Sequence, residues 1–158
     1  MPRWLEECKS SLKEVEGSGL YTLGDKGKAS NATLFMVTGE VDVEFRVGDK
    51  SKRVHLLVFL PNFEVAGQVA DRISKYGSLI SDGRPKLIVT PAELVDVITE
   101  VDGWNEVVPA HAWTPWFSLF GSRSGFDRIV DCFQDQTHRI HAIETGLSSD
   151  PGMNWRLS

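Results

Sequence analysis

The sequence predicts an α/β protein in which a β-hairpin is inserted among alternating strands and helices. Three features carry this prediction: paired strand patterns over residues 33–60, an amphipathic helix over 63–76, and short strands at 87–89, 106–112 and 140–147 separated by helical segments. Strands that alternate with helices are typical of a parallel sheet or barrel, where sites form at the carboxyl ends of the strands. The 158 residues provide material for one domain.

The first 60 residues predict a helix, a short strand and then the hairpin. Apolar residues recur at helical spacing over 4–15, and a short strand is expected at 20–23. Residues 24–32 contain turn formers and charges without an apolar period, which indicates a surface loop. Residues 33–47 alternate apolar and polar side chains after an apolar start, and 53–60 form a second apolar run, so the two are expected to pair.

Helices are predicted at three later positions. A broad apolar stripe covers 63–76, and a shorter helical pattern covers 126–133. Between them, Thr90 is expected to cap a helix with Pro91 at its first position and Glu93 three residues after the cap. This arrangement predicts a capping box.

Composition excludes several classes of protein. The net charge of −5 and the pI of about 5.3 do not give the broad basic surface of nonspecific nucleic-acid binders, so any DNA contact is expected to be local. Cys8 and Cys132 form neither a CxxC pair nor a zinc-ligand spacing and are expected to be reduced. No apolar run approaches the roughly 18 residues that span a bilayer, so a cytoplasmic protein without a membrane partner is expected.

Three metal-capable side chains lie within or at the end of apolar strands: Glu40, His55 and His111. Each one alone is better explained as a buried polar group with a backbone partner. The three together favour a site, because burying them is costly unless they are paired or ligated. Glu144, at the end of the strand predicted at 140–147, is a fourth candidate, and a loop-bracing carboxylate is an equal alternative.

Aromatic residues cluster beside His111, in a segment whose only cation is Arg123. Two interpretations stay open: the loop folds its rings into the core, or it forms a platform for stacking bases with Arg123 on a phosphate. Arg84 lies in a turn where it either braces the loop or contacts a phosphate or carboxylate. The rings are Trp113, Trp116, Phe117, Phe120 and Phe126.

His138 and His141 form a further histidine pair in the second half of the chain. They lie at the start rather than at the end of the strand predicted at 140–147. We therefore expect surface or packing roles for both.

Several motifs in this chain resemble those of endonuclease Q, a branch of the polymerase-and-histidinol-phosphatase (PHP) superfamily. The segment 108–122, VPAHAWTPWFSLFGS, is similar to the long signature loop of that branch. Shorter matches lie at 54–57, at 81–85 and at 144–158. The resemblance extends in order over nearly the whole chain.

The resemblance implies a partial, distorted β/α barrel of the PHP type, similar to a TIM barrel, with an inserted β-hairpin. It implies a single partial PHP domain over residues 1–158. It also implies that divalent zinc, manganese or magnesium ions hydrolyse phosphodiester bonds. In the endonuclease Q branch the substrate is DNA with a deaminated base such as hypoxanthine or uracil, cut on the 5′ side of the lesion.

The resemblance also assigns residue roles. Glu40 matches the glutamate that bridges metals, His55 the histidine after the hairpin, and His111 the histidine of the Pro-Ala-His motif. Glu40 and His111 are thus expected to be catalytic, and Glu144 joins the metal ligands as the residue of a terminal motif. The expected DNA contacts are Arg84, Trp113, Trp116, Phe117 and Arg123.

Two motifs of the family are missing from this sequence. A PHP domain normally opens with a His-x-His strand and closes with Asp-x-His, and neither occurs here. We therefore expect weak metal binding, no DNA cleavage by the chain alone, and self-association through open sheet edges. The alternatives are a DNA-binding module without catalysis and a structural α/β module.

Overall fold

A computed structural model describes residues 3–23, 33–80, 83–146 and 151–156. The loop predicted at 24–32 lies outside the described residues. Short 3₁₀ helices cover Ser74–Tyr76 and Gln134–Arg139. The other elements are α1 (Arg3–Ser11), β1 (Leu12–Glu14), β2 (Leu20–Leu23), β3 (Phe35–Val47), β4 (Lys50–Leu60), α2 (Phe63–Ile73), β5 (Lys86–Ile88), α3 (Pro91–Thr99), β6 (Glu106–Pro109), α4 (Ile129–Phe133) and α5 (Pro151–Trp155).

The six strands form one open, mixed sheet. Its order is β1-β2-β3-β4-β6, and β5 pairs with β3 beside that path. Every pair is antiparallel except β3 with β5. The predicted hairpin is confirmed as β3 and β4, whose register runs from Val37 opposite Leu60 to Val47 opposite Lys50. Gly48, with φ of 58°, supplies the left-handed backbone of the tight turn.

One apolar cluster joins the sheet to the helices. Val41 lies opposite Leu56, and Val43 lies opposite Val54, so alternate residues of β3 and β4 share one buried face. Burying each such side chain contributes about 1.5–3 kcal/mol. The alternation ends at Val47, which is exposed beside the turn. The cluster also includes Val69, Ile73, Leu94, Ile98 and Phe133 from the helices.

Side-chain caps start the two longer helices after the hairpin. Asn62 Oδ1 accepts a hydrogen bond from Val65 N at the start of α2, at 2.9 Å. Thr90 Oγ1 accepts from Glu93 N at 3.2 Å, which confirms the predicted cap of α3. The predicted capping box is only half formed, because the Glu93 carboxylate accepts from the Tyr76 hydroxyl at 2.6 Å instead of from the backbone of Thr90.

The prediction of parallel strands is confirmed for β5, which pairs parallel with β3, but it is wrong for the two strands predicted after it. Strand β6 is antiparallel to β4 and ends at Pro109, three residues early. The segment 140–146 makes no ladder. Instead, Ala112 N donates to Glu144 O and Glu144 N donates to Pro109 O, each at 2.9 Å, so Glu144 bonds to the backbone at the end of β6.

Two predicted helices are shorter than expected. Helix α1 ends at Ser11, because the residues that follow pair with β2. Helix α4 begins at Ile129 rather than Phe126, since Phe126 N donates to Leu119 O at 2.8 Å in the preceding loop. None of the helices in the described part of the chain is long and apolar enough to cross a bilayer.

Candidate metal centre

The pairing of the strands brings Glu40, His55 and His111 together. Asp42 of β3 lies directly opposite His55 of β4, and Glu40, two residues before Asp42, shares their face of the sheet. Ala110 N, just after β6, donates to His55 O at 3.0 Å. This hydrogen bond places His111, the next residue, beside His55.

Three ligand atoms of these residues form a small triangle. His55 Nδ1 lies 3.0 Å from His111 Nε2 and 3.4 Å from Glu40 Oε1. His111 Nε2 lies 3.7 Å from the same oxygen. Ligands about 2.0–2.1 Å from a tetrahedral ion are separated by about 3.3 Å. The three atoms are therefore spaced as three ligands of one ion.

The Glu40 carboxylate has two unequal oxygens. Oε2 accepts a hydrogen bond from Arg84 Nη2 at 2.9 Å. Oε1 is buried and has no hydrogen-bond partner among the residues that the structure describes. An unsatisfied buried acceptor costs about 1–3 kcal/mol, and more when it is charged. A cation within the triangle would satisfy it, so the donor set fits a divalent metal.

His55 is held in a form that suits a ligand. Its backbone N donates to Phe117 O at 2.8 Å, and the residue is only 6% exposed. Burial, and after it the positive charge of Arg84, lowers the pKa of the imidazole below its usual 6.5, although Asp42 opposes this shift. A neutral ring keeps a lone pair free for a cation at neutral pH.

Asp42 was missed as a site residue from the sequence. It is 5% exposed and forms an ion pair with Arg53, and its Oδ1 lies 3.7 Å from His55 Nε2. The sequence places it on the polar face of the hairpin, which a pattern alone does not distinguish from a solvated face. Its position two residues after Glu40 and opposite His55 was the available signal.

The backbone of His111 is strained and braced. Its φ of 34° lies in the left-handed region, which costs a non-glycine residue about 1–3 kcal/mol. Its backbone N donates to Glu144 Oε2 at 2.6 Å, and its ring Nδ1 lies 2.8 Å from Thr114 Oγ1. Such strain persists only where surrounding contacts hold it.

Glu144 lies beside the triangle rather than in it. Its carboxylate contributes no atom to the cluster of Glu40, His55 and His111, whose ligand atoms all lie within 4.8 Å of one another. The hydrogen bond from His111 N favours the bracing role over the ligand role. Its role as a metal ligand remains a prediction.

The predicted DNA contacts divide into accessible and packed residues. Trp116 is 57% exposed and Arg123 is exposed, so both can reach a ligand. Trp113 is half-buried, and its Nε1 donates to Asn154 Oδ1 at 2.8 Å. Arg84 is exposed but bonded to Glu40, as described above.

Phe117 packs over the metal-capable cluster. Its ring centroid lies 5.4 Å from that of His55, and the Arg53 guanidinium lies 4.3 Å from it on a cation–π contact. Its φ is 58°, again in the left-handed region. The loop therefore places this ring as a cover for His55, and its role as a DNA contact stays a prediction.

The loop that carries these aromatics is tightly packed at two glycines. A Cβ on Gly121 would lie 2.5 Å from both Ser118 Oγ and Thr114 O. A Cβ on Gly125 would collide with the backbone of Gly121, whose O accepts from Gly125 N at 2.7 Å. These close approaches need glycine, and they fix the loop beside His111.

His138 and His141 are both exposed and lie outside the cluster, as expected. His138 Nδ1 is 2.7 Å from Asp135 O, and His141 Nδ1 is 2.9 Å from the Glu106 carboxylate.

Comparison with known proteins relates the chain to a nuclease. The structure is similar to that of the lesion-specific endonuclease PfuEndoQ from Pyrococcus furiosus, with a TM-score of 0.75 and 27% sequence identity over 97% of this chain and 33% of that one. The sequence is similar to the uncharacterized protein MJ0043 of Methanocaldococcus jannaschii, 33% identical over 93 residues, and to the uncharacterized protein YqxK of Bacillus subtilis, 27% identical over 151 residues. No family model matches the chain.

The chain spans only part of these proteins. It covers 11% of MJ0043, 36% of YqxK and 33% of the endonuclease. The structural similarity supports an endonuclease Q-like relationship.

Proposed function

We propose that Glu40, His55 and His111 bind one divalent ion, and that this ion serves the hydrolysis of phosphodiester bonds in DNA. The observation that carries the proposal is the triangle of two imidazole nitrogens and one carboxylate oxygen, within which Glu40 Oε1 lacks a partner among the described residues. Two lone pairs and a negative charge that face one another at 3.0–3.7 Å repel unless a cation or a proton lies among them.

The donor set favours zinc or manganese over magnesium. Imidazole nitrogen suits zinc and other transition ions, whereas magnesium prefers oxygen ligands in an octahedral arrangement. An ion bound here would supply Lewis acidity that stabilises negative charge on a phosphate. Glu40 and His111 are the proposed catalytic residues, since both would hold the ion that contacts the reacting phosphate.

Residues around the triangle are proposed to hold the DNA. Arg84 bonds to Glu40 and is half-exposed, so its remaining N–H groups can donate to a phosphate at the ion. Trp116 offers an exposed ring on which a base can stack, and Arg123 can contact a neighbouring phosphate. The packed rings of Trp113 and Phe117 are proposed to support this surface rather than to stack on bases.

The proposed substrate is DNA that contains a deaminated base. Two observations support it: the endonuclease with the similar structure is lesion-specific, and the sequence motifs resemble those of the branch that cuts beside hypoxanthine or uracil.

We also propose that residues 1–158 are one part of a PHP-type barrel, because the sheet is open at β1 and β6, where further strands can pair.

Calorimetry on three forms of the chain tests the metal proposal. We expect the wild type to bind one zinc or manganese ion, and His111→Ala to lose this binding because one of three protein ligands is removed. His141→Ala is the matched control, since His141 is exposed and bonded to Glu106 outside the triangle. It should bind as the wild type does.

Two results would contradict the proposal. One is the absence of binding in the wild type, and the other is binding that survives His111→Ala but not His141→Ala.

A further inference from the structure

The Thr114 hydroxyl makes three polar contacts to which the proposed function assigns no role. Its Oγ1 lies 2.8 Å from His111 Nδ1, 3.1 Å from Trp116 O and 3.2 Å from His111 O. The backbone N of Thr114 also donates to His111 O at 2.9 Å, so the turn fixes the hydroxyl beside the ring.

The hydrogen-bonding capacities of these groups assign the protons. Both carbonyl oxygens only accept, and the hydroxyl has a single proton to donate. When the hydroxyl donates to Trp116 O or His111 O, its contact with the imidazole requires that His111 Nδ1 donates. His111 O already accepts from Thr114 N, so a hydroxyl that donates to Trp116 O and accepts from Nδ1 gives each group a partner, whereas a hydroxyl that donates to Nδ1 leaves Trp116 O without its proton.

The position of that proton decides where the ring can bind a cation. A neutral imidazole with hydrogen on Nδ1 carries its lone pair on Nε2. Nε2 is the atom that faces His55 Nδ1 at 3.0 Å and Glu40 Oε1 at 3.7 Å. The other tautomer would place a hydrogen where the ion must lie.

We propose that Thr114 is a positioning residue that selects the metal-binding tautomer of His111. The effect of Thr114 on metal affinity rests on the proposed function. The tautomer of His111 does not. His55 Nδ1 faces His111 Nε2 at 3.0 Å, but its outer nitrogen, Nε2, lies 3.7 Å from Asp42 Oδ1, whose carboxylate binds Arg53. Of the two imidazoles, only His111 thus has a close hydrogen-bond partner on its outer nitrogen among the described residues, and that partner is Thr114. Groups that orient a ligand in this way typically change metal affinity by about 10–100-fold.

Two substitutions and two measurements test the proposal. Thr114→Val keeps the shape of the side chain but removes the hydroxyl, and Thr114→Ser keeps the hydroxyl. In the metal-free chain, nitrogen-15 NMR of the imidazole should show the Nδ1–H tautomer of His111 in the wild type and in Thr114→Ser, and a shift toward Nε2–H in Thr114→Val. Zinc calorimetry should show about a 10–100-fold loss for Thr114→Val and a change of less than about threefold for Thr114→Ser.

The NMR and calorimetry results distinguish a failure of this proposal from a failure of the proposed function. An Nε2–H tautomer in the wild type overturns the proposal without any substitution. So does a Thr114→Val chain that keeps the wild-type tautomer or binds zinc within about twofold of the wild type. If the wild type shows the Nδ1–H tautomer and binds no zinc, the proposed function fails while the assignment by Thr114 stands.

Discussion

Glu40 divides its carboxylate between two environments. One oxygen pairs with Arg84 at the surface, and the other is buried among His55 and His111 without a donor in the described structure. The arrangement orients the buried oxygen toward the two imidazoles. At the scale of single residues, this orientation favours the proposed ligand set over a group of polar side chains that merely lie close together.

Substitution of Glu144 distinguishes a ligand from a brace. Its Oε2 accepts from the strained His111 backbone, and a glutamine oxygen can accept the same bond. We therefore expect Glu144→Gln to keep the wild-type zinc affinity within about threefold, whereas Glu144→Ala lowers the free energy of unfolding by about 1–3 kcal/mol. Calorimetry and urea unfolding measure the two effects. If Glu144→Gln loses zinc binding but keeps its free energy of unfolding, Glu144 is a ligand.

At the scale of elements, the β3–β4 hairpin builds most of the site. Its polar face carries three carboxylates, each with a basic partner: Glu40 with Arg84, Asp42 with Arg53, and Glu44 with Lys86. Phe117 of the aromatic loop packs on this face at His55 and Arg53, whereas the Arg84 and Lys86 side chains are about half-exposed. The hairpin thus uses one face for the core and the other for the proposed metal centre.

The hairpin and its helices could be predicted from the sequence because local patterns determine them. Alternation over 33–47 and the side-chain cap at Thr90 depend on neighbouring residues only. The convergence of Glu40, His55 and His111 was expected from their positions in or after apolar strands together with the family resemblance.

The remaining features depend on contacts that are distant in sequence. The role of Asp42 requires the register that a turn at residues 48–49 sets, since a shift by one residue would move it to the other face. The role of Thr114 depends instead on local contacts with His111 and Trp116 in the turn after β6. The apolar run at 140–147 resembles a strand, but whether it joins a ladder depends on the available partners, and within 140–146 Glu144 alone bonds to the backbone at the end of β6.

Gly39 leaves a gap on the apolar face of β3. A cavity of about 280 Å³ lies between the hairpin and α2, and a Cβ on Gly39 would meet no atom within 4 Å. Gly39→Ala should raise the free energy of unfolding by about 0.5–1 kcal/mol, because alanine loses less conformational freedom than glycine in a strand. Urea unfolding measures the change.

Gly48→Ala is the matched control for this substitution. A Cβ there also meets no atom within 4 Å, but the φ of 58° disfavours alanine by about 1–2 kcal/mol. The two variants should therefore shift stability in opposite directions. A lower free energy of unfolding for Gly39→Ala would contradict the expectation that the gap accepts a methyl group without strain.

At the scale of the whole molecule, the different burial of Cys8 and Cys132 predicts how the two thiols react. Burial raises the pKa of the Cys132 thiol well above its usual range, whereas Cys8 is half-buried on α1. Because the thiolate is the reactive form, a disulfide reagent at pH 8 should label one thiol per native chain and two in denaturant. Cys8→Ser should remove the fast label, and fast labelling of Cys132 in the native chain would contradict the packing of α4.

The open sheet also predicts association between copies of the chain. Strands β1 and β6 end the sheet without a further strand beside them in the described structure, and unpaired edges recruit other strands. Light scattering over a range of concentrations should show species larger than a monomer. A monodisperse monomer at high concentration would mean that the edges are protected.

X-ray absorption at the metal edge tests the central claim most directly, because it reports the ligands themselves. For the zinc-loaded chain we expect two imidazole nitrogens and one carboxylate oxygen in the coordination shell, and no bound zinc after His55→Ala, because that variant loses one of three ligands as His111→Ala does. A shell that contains sulfur, or one that lacks histidine in the wild type, would contradict a metal centre built from Glu40, His55 and His111.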